Sequence, residues 1–106
     1  MIGGTVENER WFELMDRTLD LSNGEIDMPI EIANRCKEAQ PSGRGLRMLR
    51  RMIGHGEPWE QDYVETVGLD ALRAAAKHPV DEEFELLRTR LVQRGRHEAA
   101  DIIPEA

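Results

Sequence analysis

Residues 44–53 read Arg-Gly-Leu-Arg-Met-Leu-Arg-Arg-Met-Ile, and that pattern decides the fold class. At about 100° per residue, Arg44, Arg47, Arg50 and Arg51 fall within about a third of a helix circumference. Leu46, Leu49 and Ile53 take the opposite side, with Met48 and Met52 at one flank. The stretch is an amphipathic helix with arginine outward and aliphatic carbon inward. Ser42 stands where an N-cap belongs, and Gly54-His55-Gly56 breaks the helix.

Working outward, the same period recurs on both sides. Trp11, Phe12, Met15 and Leu19 repeat at three and four residues, Leu14 and Leu21 widen that stripe, and Ser22-Asn23-Gly24 ends it. Asp27 and Pro29 open a second helix holding Ile32, Cys36 and Ala39, which Pro41 stops. After the glycine corner, Glu57-Pro58-Trp59 starts a helix with Trp59, Tyr63 and Val67. Gly68 and Asp70 suggest a stop and restart before Leu72, Ala75 and Ala76, and Pro79 ends that piece. Asp81 caps a helix whose first turn holds Glu82 and Glu83 and whose apolar face is Phe84, Leu87 and Leu91; Gly95 closes it. Ala99, Ala100 and Ile102 suggest a short last helix before Pro104. The valines are scattered and nowhere alternate as a strand requires. The expectation is all-α: a compact bundle of five or six short helices, one domain over residues 1–106, with 1–5 and 104–106 frayed. A faint repeat at an offset of 39 residues aligns Arg51-Met52-Ile53 with Arg90-Leu91-Val92, Gly56 with Gly95 and Asp62 with Asp101. Two copies are too few to stack as a repeat protein and read as similar hairpins reached independently.

Charge is unevenly placed. The chain has 106 residues and a net charge of −7. Residues 41–56 hold four arginines and no acid, residues 57–70 five acids and no base, and residues 1–40 sum to −5. The arginine face has three readings. It neutralises acids on neighbouring helices, above all those in 57–70; it docks an acidic protein; or it grips phosphate with its planar forks. Nucleic acid is the weakest of these, since the whole chain is acidic and no aromatics interleave with the arginines. A helix-turn-helix over 44–67 would send Glu57, Glu60, Asp62 and Glu65 toward phosphates, which repel them. Ser42-Gly43-Arg44-Gly45 lacks the lysine and spacing of a phosphate-binding loop.

Chemistry is sparse. His55, His78 and His97 stand far apart in the sequence, and Cys36 is the single cysteine, so no metal-ligand spacing and no internal disulfide exist. Cys36 lies on an apolar helix face and reads as a small core residue. His55 between two glycines and His97 beside Glu98 read as exposed, and His78 as a helix-end residue. The expectation is a non-enzyme without a cofactor. No stretch of about 18 apolar residues could span a bilayer, and the first residues lack a leader's basic-then-apolar layout, so the chain reads as cytoplasmic.

What remains is a small acidic interaction module: a regulator, inhibitor or adaptor binding another protein, whose basic face would suit this charge. The expected contact residues are Arg44, Arg47, Arg50 and Arg51 on one face and Glu57, Trp59, Glu60 and Asp62 on the other. An acidic face on the first helix (Glu7, Glu9, Glu13, Asp16 and Asp20) is a further candidate. Antiparallel self-association would match the basic and acidic segments of two copies. The alternative is a nucleic-acid-associated protein touching phosphates through Arg44–Arg51. Of the large aromatics, most belong in the core; an exposed tryptophan would mark a binding face, with Trp59 the first suspect.

Overall fold

Pro29 and Pro58 each stand first in a helix, where a missing N–H is harmless, and Asn23, Gly54 and Gly95 follow helix ends with φ of 54°, 91° and 86°. A computed structural model describes residues 2–23, 28–39, 43–75 and 82–97. Among them run α1 (Ile2–Leu21), α2 (Pro29–Ala39), α3 (Gly43–Met52), α4 (Pro58–Ala75) and α5 (Glu82–Gln93). The chain is an all-α bundle with a radius of gyration of 13.3 Å, that of a close-packed domain of this length. The cap residues Asp27, Ser42 and Asp81, the stops at Pro41 and Pro79, the helix expected at 99–102 and the end at 104–106 lie outside the described residues. The carbonyl of Met28 accepts the Ile32 N–H at 3.1 Å, so the N-cap position of α2 falls one residue after Asp27.

The arginine helix is the centre of the bundle. α3 packs against all four other helices, while α1 touches only α2 and α3, and α5 only α3 and α4. The neighbours therefore run α1, α2, α4, α5 around α3, and the outer side of α3 fills the gap between α1 and α5. This explains why Met48 and Met52, expected at a flank, are as buried as Leu46, Leu49 and Ile53. A helix with neighbours on most of its circumference buries more than one stripe. Phe12 and Leu19 of α1, Ile32 and Cys36 of α2, Val64 and Leu72 of α4, and Leu87 and Leu91 of α5 complete this core. Truncating any one of its fully buried leucines to alanine costs about 2–5 kcal/mol.

Two expectations are corrected. Leu14 and Leu21, assigned to the buried stripe of α1, are 53% and 82% exposed; a helix with only two neighbours needs a narrower apolar face. Gly68 is not a stop, because α4 runs through it without a break. A Cβ there would lie 3.4 Å from Leu91 Cδ1 and 3.7 Å from Leu87 Cδ1, so the glycine lies under α5 with space for a methyl and little more, and it marks no turn. The internal repeat also loses its register. After α3 both Gly54 and Gly56 are left-handed, at φ of 91° and 84°, and the one that directly closes the helix is Gly54, whereas the alignment paired Gly56 with Gly95, so the two corners differ.

Candidate functional site

The four arginines of α3 point into carboxylates of α1 and α5. Arg44 lies 3.9 Å from Glu9, Arg47 3.0 Å from Asp16, and Arg50 3.6 Å from Glu83. Arg51 pairs with Asp16 and, at 2.9 Å, with Asp20. Asp16 thus takes N–H donors from two arginines one turn apart, with Arg47 Nε reaching both its oxygens at 3.2 and 3.0 Å. The arginines thus neutralise acids on neighbouring helices, as one reading of the sequence expects, but not the acids of 57–70 that it puts first. The arginine side of α3 faces α1 and α5 instead, and those acids are elsewhere. Single exposed pairs contribute at most about 1 kcal/mol, yet together these tie α1 and α5 to the hub from its outer side. The first-helix acids Glu9, Asp16 and Asp20 are therefore engaged within the chain, as is Glu13, 4.0 Å from Arg17.

The acidic stretch sorts into three uses. Glu57 is the N-cap of α4: its carbonyl accepts the Gln61 N–H at 2.9 Å, and its own N–H donates to Glu60 Oε1 at 2.9 Å. That is the reciprocal half of a capping box, with Pro58 first in the helix. Asp62 and Glu65 meet arginines from the end of α5. Arg96 donates to Glu65 at 2.8 Å and to Asp62 at 2.7 Å, while Arg94 donates to Gln61 at 2.8 Å and stands 3.6 Å from Glu65. The Glu65 hydrogen bond pushes the Arg96 pKa up, against the pull of burial. Glu65, 7% exposed, is the one buried charged residue among those described. Asp70 pairs with Arg73 at 2.9 Å.

Sequence reasoning missed Arg94 and Arg96. Their signal was Gly95. Gly95 donates to Val92 O and Arg96 to Leu91 O, both at 2.9 Å, the pairing of a Schellman turn. This turn folds the chain back so that the flanking arginines reach α4.

Trp59 is left outside these networks. It occupies the first turn of α4 and is 66% exposed. The other aromatics pack on the core or within it: Phe12 is buried, and Trp11, Tyr63 and Phe84 lie partly buried against it. Trp11 meets Phe12 edge to face at 5.4 Å, with Arg35 4.9 Å over its other surface. One turn past Trp59, Tyr63 donates its hydroxyl to Asn34 of α2 at 2.5 Å. Residues four apart on a helix lie within about 40° of each other, so Trp59 sits on the α2-facing edge of α4. Beside it an open hollow of about 310 Å³ is lined by Met28, Pro29, Ile30, Glu31, Asn34 and Glu60.

The remaining reactive groups are accounted for. Cys36 is buried, which pushes its thiol up to about 11; it borders a small hollow of about 170 Å³ with Val67 and Ala71. A thiol so protonated at neutral pH is a poor nucleophile. His55 is half-buried rather than exposed, His97 is exposed, and His78 lies outside the described residues. No group of three His, Cys, Asp or Glu among the described residues is placed to hold a metal ion, and no helix there is long and apolar enough to cross a membrane.

The described residues define an acidic helical bundle of five helices, with Trp59 turned outward. No protein-family model matches the chain, and no curated protein or solved structure matches it.

Proposed function

We propose that the chain is a small acidic helical interaction module that binds another protein through the surface around Trp59, acting on it as regulator, inhibitor or adaptor. The observation behind this reading is Trp59 at 66% exposure in a domain whose other aromatics pack inward. Tryptophan is the residue type most enriched among those that dominate binding energy. Glu57 and Glu60 beside it favour a partner with a basic face, which the net charge of −7 also attracts at longer range. Of the expected contact residues, Glu57, Trp59 and Glu60 stay with this surface. Arg44, Arg47, Arg50, Arg51 and Asp62 all have charge partners within the chain.

The phosphate-binding alternative draws less support from the structure for that reason, and so does pairing of two copies through their basic and acidic segments. A contact through the arginines would first have to displace Glu9, Asp16, Asp20 and Glu83.

A photo-reactive residue placed at the exposed Pro58, which leaves Trp59 intact, or at Arg73 on the same helix as a control, tests the proposal in native lysate. A protein cross-linked from 58 and not from 73 is expected, and Trp59→Ala should weaken its capture about 30-fold, the effect of losing about 2 kcal/mol. Circular dichroism should remain unchanged. The same adducts from both positions, or capture indifferent to Trp59→Ala, would remove this surface from consideration.

A further inference from the structure

Resting on that reading, we infer the chemistry of the partner: it presents a basic segment, one of whose lysine or arginine side chains enters the hollow between the starts of α2 and α4. Two properties of the hollow and one of Trp59, which lies next to its lining residue Glu60, lead there. Its lining is apolar at Met28, Pro29 and Ile30 and acidic at Glu31 and Glu60, with no cation among the lining residues. Such a surface suits a side chain with a hydrocarbon stem and a positive head. The two carboxylates come from the first turns of different helices, and their two full charges outweigh the half-charges of the helix N-termini beside them. Glu60 has one oxygen committed to the N–H of Glu57, which leaves its second oxygen and the whole of Glu31 for the ligand.

The exposed Trp59 ring is the third property. It stands on the edge of α4 that faces α2, one residue from Glu60, where a guanidinium or ammonium can lie over an indole face. The molecule already uses this contact elsewhere, with Arg35 over Trp11 at 4.9 Å. An acidic partner is disfavoured by the same carboxylates, and a purely apolar one would bury them without compensation.

The test uses the full chain carrying Trp11→Phe, so that Trp59 is the sole tryptophan and can be excited selectively beyond the absorption of Tyr63. Two probes are titrated at low ionic strength: a short peptide of alternating Arg and Ala, and the same peptide with citrulline replacing Arg. Saturable change in Trp59 emission is expected with the first and not with the second. Glu31→Gln with Glu60→Gln should weaken binding about tenfold, the sum of two partly exposed charge contacts; glutamine at 60 can still accept the cap N–H. Glu82→Gln with Glu85→Gln changes net charge equally on the exposed start of α5 and should leave affinity unchanged. Equal weakening by both pairs, equal binding of the citrulline peptide, or no change in emission would each overturn the inference. Should cross-linking from position 58 depend on Trp59 yet survive Glu31→Gln with Glu60→Gln, the basic-segment chemistry falls while the Trp59 surface stands.

Discussion

Gly68→Ala should make this protein more stable, although the glycine lies directly under Leu87 and Leu91 of α5. The substitution replaces the poorest non-proline helix former with the best, worth about 0.8–1 kcal/mol inside a helix. Against that gain stands the space available. The new methyl would meet Leu91 Cδ1 at 3.4 Å, Leu87 Cδ1 at 3.7 Å and Leu91 Cδ2 at 3.8 Å, all within ordinary van der Waals contact and none against backbone. The net expectation is a gain of about 0.5–1 kcal/mol, or about 3–6 °C in thermal midpoint. Gly68→Val adds carbons about 1.5 Å beyond that methyl, which drives α5 off its seat and should cost about 1–3 kcal/mol. Thermal and urea unfolding of the two variants decide the matter. A lower midpoint for Gly68→Ala would refute the claim that a methyl fits under α5, and valine tolerated as well as alanine would refute the claim that little more than a methyl fits.

Other perturbations separate the roles of the charged and turn residues. Asp16→Asn strips the shared partner of Arg47 and Arg51 and should cost about 1 kcal/mol in dilute buffer, shrinking in about 1 M salt; an unchanged urea midpoint in dilute buffer would mean that Asp16 does not hold α1 to the hub. Gly95→Ala should lose about 1 kcal/mol in thermal unfolding, because φ there is +86° and no atom within 4 Å offers the methyl a compensating contact. Cys36 makes an alkaline prediction. Its thiol is raised in the folded state from 9.0 to about 11, so the unfolded chain gives up that proton first as pH climbs. The associated stability is whole below pH 9 and falls by about 2–3 kcal/mol as pH approaches 11. Cys36→Ala, otherwise less stable, should lack that part of the alkaline decline; parallel pH profiles for the two proteins would disprove it.

Much of this architecture was legible from residue order, and the misreadings share a cause. Local backbone chemistry was plain: Pro29, Pro58, Asn23 and Gly95 bound helices as their φ preferences require. Gly68 misled because a glycine at a turn and a glycine under a neighbouring helix look alike in one dimension; only the position of Leu91 tells them apart. The arginine face was drawn correctly on the helical wheel, and its partners were misassigned. The adjacent acids of 57–70 looked nearest, but the corner at Gly54 turns them away and leaves the arginines facing α1 and α5. Leu14 and Leu21 obey the helical period and still lie outside, since periodicity gives a face but not the number of neighbours that cover it. At the candidate surface, Trp59 was singled out by its acidic, proline-led turn. The hollow beside it needed two helices brought together from distant parts of the chain, and no spacing rule announces that.

The central position of α3 governs how the chain can be made and cut. During synthesis α1 and α2 precede the helix against which both pack, and the third helix gives both a seat. α4 then adds to a nucleus already closed on one side. α5, which touches only α3 and α4, docks last, with Leu87 and Leu91 filling the remaining gap. A nick ahead of Gly43 or behind Met52 leaves the hub whole on one fragment, and the two pieces retain complementary surfaces for reassociation. A nick within α3 divides the element that every other helix needs, and neither fragment keeps a core.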